Sequence, residues 1–182
     1  MPAIYISPSV REFNPYIIGG SEEFYMNRIA DAMVPYLRAS GIGFSRNNPG
    51  ISLSQIMTQA NSRRYDLHMA LHSGSSPENM QGVLQGPDVY YYTTSDKGKR
   101  AADIFAENLK TIYPNPSLVM AIPTTILAEL RKTKAPAVLV QIAYHDNHED
   151  ATWIRDKIDA IGKNLSLSVA QYLGVPFSEP RW

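Results

Sequence analysis

Apolar and polar positions along the chain follow two periods, and the switches between them mark the elements. Short apolar runs at residues 3–7, 42–46, 65–72, 88–93 and 137–144 read as strands, the last so uniformly apolar that both of its faces must be covered. Between them the spacing becomes helical. Ser21 caps a helix whose first turn carries Glu22 and Glu23 and whose buried stripe is Ile29, Met33 and Leu37, with Pro35 expected to kink it and Gly41 to end it. Ser52 and Gln55 form a capping box for a helix reaching about residue 64. Ser95 starts another through Ala101, Ile104, Leu109 and Ile112, stopped by Pro114 and Pro116, and a final helix over 149–173 lines up Ile154, Ile158, Ile161, Leu165 and Val169. Residues 117–133 are expected to be irregular, with a short strand near 127–130. Strands alternating with helices predict an α/β three-layer sandwich, a largely parallel sheet between two helical layers.

Composition narrows what such a domain does. The 182 residues suit one globular domain, 1–182, with a full core. Seventeen basic and seventeen acidic side chains cancel without long runs of either sign, which argues against nucleic acid as a partner. The absence of cysteine removes disulfides, thiolate metal sites and a cysteine nucleophile, so any metal must be held by His, Asp or Glu. No stretch approaches the roughly 20 apolar residues of a membrane span, and the first residues, MPAIYISPSV, enter a strand pattern instead of a signal peptide.

Candidate chemistry centres on His72. It ends the strand in LHMALHSGSS, before a small-residue loop, and ligands of open α/β sheets bind at that end of a strand. Glu23, at a helix start facing the same end, can complement it as a carboxylate beside an imidazole, the beginning of a zinc site; Glu22 competes for that role, and either suits a helix N-terminus without further function. The long loop over 73–87 and Tyr90, Tyr91 and Tyr92 can line a groove, although alternating tyrosines equally serve packing.

The ordered set Glu23, Asn27, Ile29, Ala30, Leu37, Gly41, Arg46, Asn61, Tyr65-Asp66, Leu71-His72-Ser73, Gly86, Asp88, Val89-Tyr90-Tyr91, the run Pro136 to Val140, Asn147 and Glu149 resembles the zinc-dependent N-acetylmuramoyl-L-alanine amidases of the type 3 family over nearly the whole chain. The resemblance implies a six-stranded central sheet, zinc as cofactor, peptidoglycan muramyl-peptide as substrate, a setting in the cell wall or outside the cell, and cleavage of the amide between N-acetylmuramic acid and L-alanine. It places Glu23 and His72 on two zinc ligands.

Two positions depart from the family. Its first histidine ligand would fall in Ser7-Pro8-Ser9-Val10-Arg11, which has none; Glu12 and His145 are the substitutes considered. Its catalytic glutamate falls on Gln141, whose amide has no titratable proton to exchange. His68 lies on the same strand face as His72 but about 13 Å along it, too far to share an ion, and reads as a hydrogen-bonded interior histidine. His148 reads as a surface or capping residue. Arg131 and Lys132 are candidate partners for a stem-peptide carboxylate. Three readings stay open: an amidase attenuated at Gln141, by nature or by an introduced block; a catalytically silent wall-binding module on the same fold; and a cleft for another small amide or sugar.

Overall fold

The computed structural model describes residues 1–182. Its sheet has six strands in the order β2-β1-β3-β6-β4-β5, built from β1 (Ala3–Pro8), β2 (Gly43–Arg46), β3 (Leu67–Gly74), β4 (Asp88–Tyr92), β5 (Met120–Thr124) and β6 (Ala137–Tyr144). All neighbours run parallel except β4 and β6. The last two strands therefore point opposite to the first four, and Asp88 at the start of β4 pairs with Gln141 near the end of β6.

Strict alternation divides the sheet into two faces. Ile4, Ile6, Leu67, Met69, Leu71, Val138, Val140 and Ile142 point one way into the main core. There α1 (Glu22–Ala39), α3 (Asp96–Leu109) and α6 (Ile158–Leu173) cover them. The interleaved residues Tyr5, Ala70, Ala137 and Leu139 point the other way and are covered only by α2 (Leu53–Ala60) and the single turn α4 (Ala128–Arg131). His68, His72 and Gln141 follow the parity of this second, thinly covered face, so the polar side chains emerge where the helical layer is least complete.

The local signals mostly act as expected. Ser21 caps α1 through the Phe24 amide, and Ser52 and Gln55 form the reciprocal capping box. Pro35 is accommodated within α1, which runs as one helix to Ala39. Other expectations need correction. The helix after Ser52 stops at Ala60, where the Asn61 amide donates back to the Met57 carbonyl and closes the last turn. The expected strand at 127–130 is instead α4, and the strand lies earlier, at Met120–Thr124. It contains Pro123, which an edge strand tolerates because its outward amide has no partner to lose. The final helix is two, α5 (His148–Asp156) and α6, broken at Lys157.

Candidate functional site

A cleft of about 420 Å³ opens at the carboxyl ends of β1, β3 and β6, on the thinly covered face. Pro8, Ser9, Glu22, His72, Ser73, Gly74, Glu129, Gln141 and His145 contribute to its lining, and Leu53, Ile56, Ile126 and Leu127 supply an apolar wall. Leu53 and Ile126 are exposed, so this wall is open to a ligand.

The carboxylate that reaches His72 belongs to Glu22. Its Oε1 lies 2.9 Å from His72 Nδ1 and accepts from the Ser73 amide at 3.3 Å, while Oε2 accepts from Asn14 Nδ2 at 2.7 Å. Glu23 is elsewhere: it lines a separate surface groove with Asn27, Arg28 and Arg46. The reason is geometric. Successive helix residues are about 100° apart around the axis, so only one of two adjacent glutamates can face the sheet end, and the Ser21 cap sets the phase that turns Glu22 inward.

On the far side of the imidazole stands Glu129, which the sequence did not single out. Its Oε1 lies 3.4 Å from His72 Nε2 and its Oε2 2.8 Å from His68 Nε2. The two histidines, set apart along β3, thus share one carboxylate rather than one ion. Burial alone would push the His72 pKa down, but hydrogen bonds and charge from Glu129 and Glu22 outweigh it and raise it to about 9. Burial likewise pushes Glu129 up, yet His68 and His72 bring it to about 2, and Glu22 is held below the ordinary carboxylate range by His72 and Asn14 against the same burial. At neutral pH, the imidazole is a cation between two anions.

Gln141 sits beside His72 in register and packs over Gly74, where an added Cβ would lie 2.5 Å from the Gln141 carboxamide carbon. Its Nε2 is buried without a hydrogen-bond partner. His145 reaches the cleft wall, but its Nδ1 meets Ser73 Oγ at 3.0 Å, and that hydroxyl also receives the Tyr16 hydroxyl at 2.8 Å. Burial lowers the His145 pKa, keeping it neutral. Glu12 is exposed and does not line the cleft. His148 is an exposed first-turn residue of α5, capped by Asn147. Of the tyrosines, Tyr90 lines the cleft and Tyr91 is core. Neither Arg131 nor Lys132 lines it.

The loop over 75–87 is fastened to the turn after β6. Asp146 Oδ2 accepts from the Ser76 and Gly82 amides at 3.1 and 2.9 Å, Asn147 Nδ2 donates to the Gly82 carbonyl at 2.8 Å, and Asp150 Oδ2 accepts from the Gly86 amide at 2.9 Å. The loop after β3 is therefore held largely by side-chain bonds to its backbone, and only Ser75 of it lines the cleft.

These donors do not complete a catalytic zinc site. Glu22 and His72 face a common point, but a catalytic zinc takes three protein ligands, and no three His, Asp or Glu side chains are grouped to hold an ion. Glu129 is on the wrong side of the ring to be the third.

Comparison with known proteins finds the same fold elsewhere. The chain resembles in fold an N-acetylmuramoyl-L-alanine amidase of Nostoc punctiforme (TM-score 0.83, 18% identity, covering 95% of this chain and 97% of that one). It is similar in the same sense to the N-acetylmuramyl-L-alanine amidase Ami1 of Mycobacterium smegmatis (TM-score 0.81, 15% identity, 95% and 97% covered). A third is the catalytic domain of an endolysin targeting Clostridia difficile (TM-score 0.76, 21% identity, 98% and 100% covered). No curated protein sequence matches significantly. Residues 16–171 match the family described as N-acetylmuramoyl-L-alanine amidase, and that span holds Glu22, His72, Glu129 and Gln141 together: the chain belongs to this amidase family.

Proposed function

We propose that the protein acts on cell-wall peptidoglycan at this cleft, its target being the amide between the lactyl group of N-acetylmuramic acid and L-alanine. The reading is carried by one observation in a chain of this family: Glu22, His72 and Gln141, 50 and 69 residues apart in turn, meet at one end of the sheet beside an apolar wall. The wall formed by Leu53, Ile56 and Ile126 suits a sugar face or an alanine methyl, and the polar floor of Ser73, Ser75 and Gln141 suits an amide. The setting is then the cell wall, beyond the cytoplasmic membrane. No helix is long and apolar enough to cross one.

Hydrolysis of an amide needs one proton taken from the attacking water and one delivered to the leaving amine. Gln141 does neither. Zinc, which the resemblance implies, finds two donors, Glu22 and His72, and lacks a third, so turnover by the natural chain is slow or absent. That pair of facts favours a second reading on the same site, binding of muramyl-peptide without cleavage.

The two readings separate in one experiment. The protein and its Gln141→Glu variant are incubated with zinc and purified muropeptides, and products are followed by mass spectrometry alongside sedimentation with peptidoglycan sacculi in the presence of a chelator. Release of free L-alanyl peptide by the variant supports the amidase. Sedimentation of the natural chain that survives chelation, with no cleavage by either protein, supports recognition alone. Neither cleavage nor sedimentation overturns the assignment of peptidoglycan as the target.

A further inference from the structure

Glu129 stands on a four-residue helical turn at the edge of the molecule, yet it is only 6% exposed. A buried carboxylate is retained at a cost unless its oxygens are satisfied, and here they are divided between two rings, His68 and His72. The strand makes this possible. Residues 68, 70 and 72 project from the same face of β3, and the middle one is Ala70, fully buried and small enough to leave room for a carboxylate between the imidazoles. His68 is itself fixed, stacked on Tyr5 with ring centroids 5.4 Å apart and planes 8° from parallel. The segment running from β5 into α4, which includes the exposed Ile126 of the cleft wall, is thus tied to the strand that carries His72.

We propose that Glu129 is a positioning residue of the cleft: by bridging His68 and His72, it fixes the plane of the His72 ring against Glu22 and docks the Thr124 to Arg131 wall onto the sheet. This rests on the reading that His72 works in the cleft. With Nδ1 held from one side and Nε2 from the other, the ring cannot flip without giving up a bond; without Glu129 it keeps one anchor and can swing, and the wall loses its polar attachment.

The test uses protein labelled with nitrogen-15 at histidine and compares the natural chain with Glu129→Gln and Glu129→Asp; aspartate keeps the charge but is one methylene too short to span both rings. The His72 Nε2 resonance should move in both variants, and by more than the Nδ1 resonance, which still faces Glu22. Muramyl dipeptide, titrated by calorimetry, should bind about tenfold more weakly to either variant, the size expected when a hydrogen bond to a charged group is lost. His68→Gln, which keeps a donor toward Glu129, should preserve both readouts. A folded Glu129→Gln or Glu129→Asp protein whose Nε2 resonance is unmoved overturns the proposal, whatever the natural chain binds. A moved resonance in a protein that never binds muramyl dipeptide leaves the positioning role standing and removes the peptidoglycan reading instead.

Discussion

The two sides of the cleft differ in how completely their polar atoms are used. On the β3 side, both oxygens of Glu22, both nitrogens of His72 and both oxygens of Glu129 have partners between 2.7 and 3.4 Å away, and only the outlying His68 Nδ1 has none. On the β6 side, Gln141 Nε2 is buried with no partner. A saturated network holds its own shape, because moving any member breaks a bond in a low-dielectric site. An unsatisfied donor is a position where a bond is still to be made. The β3 side therefore acts as the preorganised half of the site and the β6 side as the half that meets a ligand.

The strongest way to break that contrast is to restore a carboxylate on the open side. Gln141→Glu puts a titratable group at the cleft floor, and general acid–base assistance is worth about 10²–10⁴-fold. Cleavage of muropeptide in the presence of zinc should rise by that order, read by chromatography of released peptide. No rise, with zinc measured on the protein by elemental analysis, would place the defect in the incomplete ligand set instead.

The saturated side is tested by the adjacent glutamates. Glu22→Gln strips the charge from the closest partner of a partly buried cationic ring and should cost about 2–3 kcal/mol in urea unfolding, just below the range for breaking a fully buried ion pair. Glu23→Gln, in its separate groove, should change stability by less than about 0.5 kcal/mol. Equal effects would mean that the two residues are not divided as the helix phase divides them.

That division also shows what was legible beforehand. The place of His72 near the end of β3, the buried run of β6 and the caps at Ser21 and Ser52 followed from local pattern, because strand parity and caps are written into neighbouring residues, although β3 runs on past His72 to Gly74. The choice between Glu22 and Glu23 did not, since both are acidic first-turn residues and only the helix's exact phase separates them. Glu129 was missed because its partners lie 61 and 57 residues away in sequence and its surroundings, ILAELRK, look irregular. The available signal was a carboxylate between Leu127 and Leu130, which as an amphipathic turn presses its glutamate toward the sheet. The reversal of β4 against β6 likewise depends on where a long loop returns and leaves no periodic trace.

The charges on the saturated side make its strength depend on pH, with a sign that follows from each shift. The folded pKa of His72, about 9, lies above its ordinary 6.5, so the stability it contributes is complete below about pH 6.5 and is lost as pH rises through 9. The folded pKa of Glu129, about 2, lies below its ordinary 4.5, so its contribution is complete above pH 4.5 and is lost as pH falls toward 2. Thermal unfolding of chelated protein should give a plateau between pH 4.5 and 6.5 with both flanks falling, the alkaline one by up to about 3 kcal/mol for a shift of this size. In His72→Gln the alkaline flank should flatten; a flank that survives the substitution would assign it to other groups.

The smallest effect concerns the seam between the two sides. Gly74 closes β3 under Gln141, and an alanine there would bring its Cβ to 2.5 Å from the carboxamide carbon and 2.6 Å from its oxygen. Those are side-chain atoms with room on the cleft side, so the amide can give way where a backbone could not. Gly74→Ala should cost about 1–2 kcal/mol, at the lower end for overpacking, and should push the Gln141 amide into the cleft. Truncating the obstacle removes the clash. In the Gln141→Ala background the same glycine substitution should be close to neutral, and the double-mutant cycle measures how far the two positions act as one. Additive costs would show that residue 74 is strained against backbone, and that the donor at 141 is placed by its own strand instead of by the glycine beneath it.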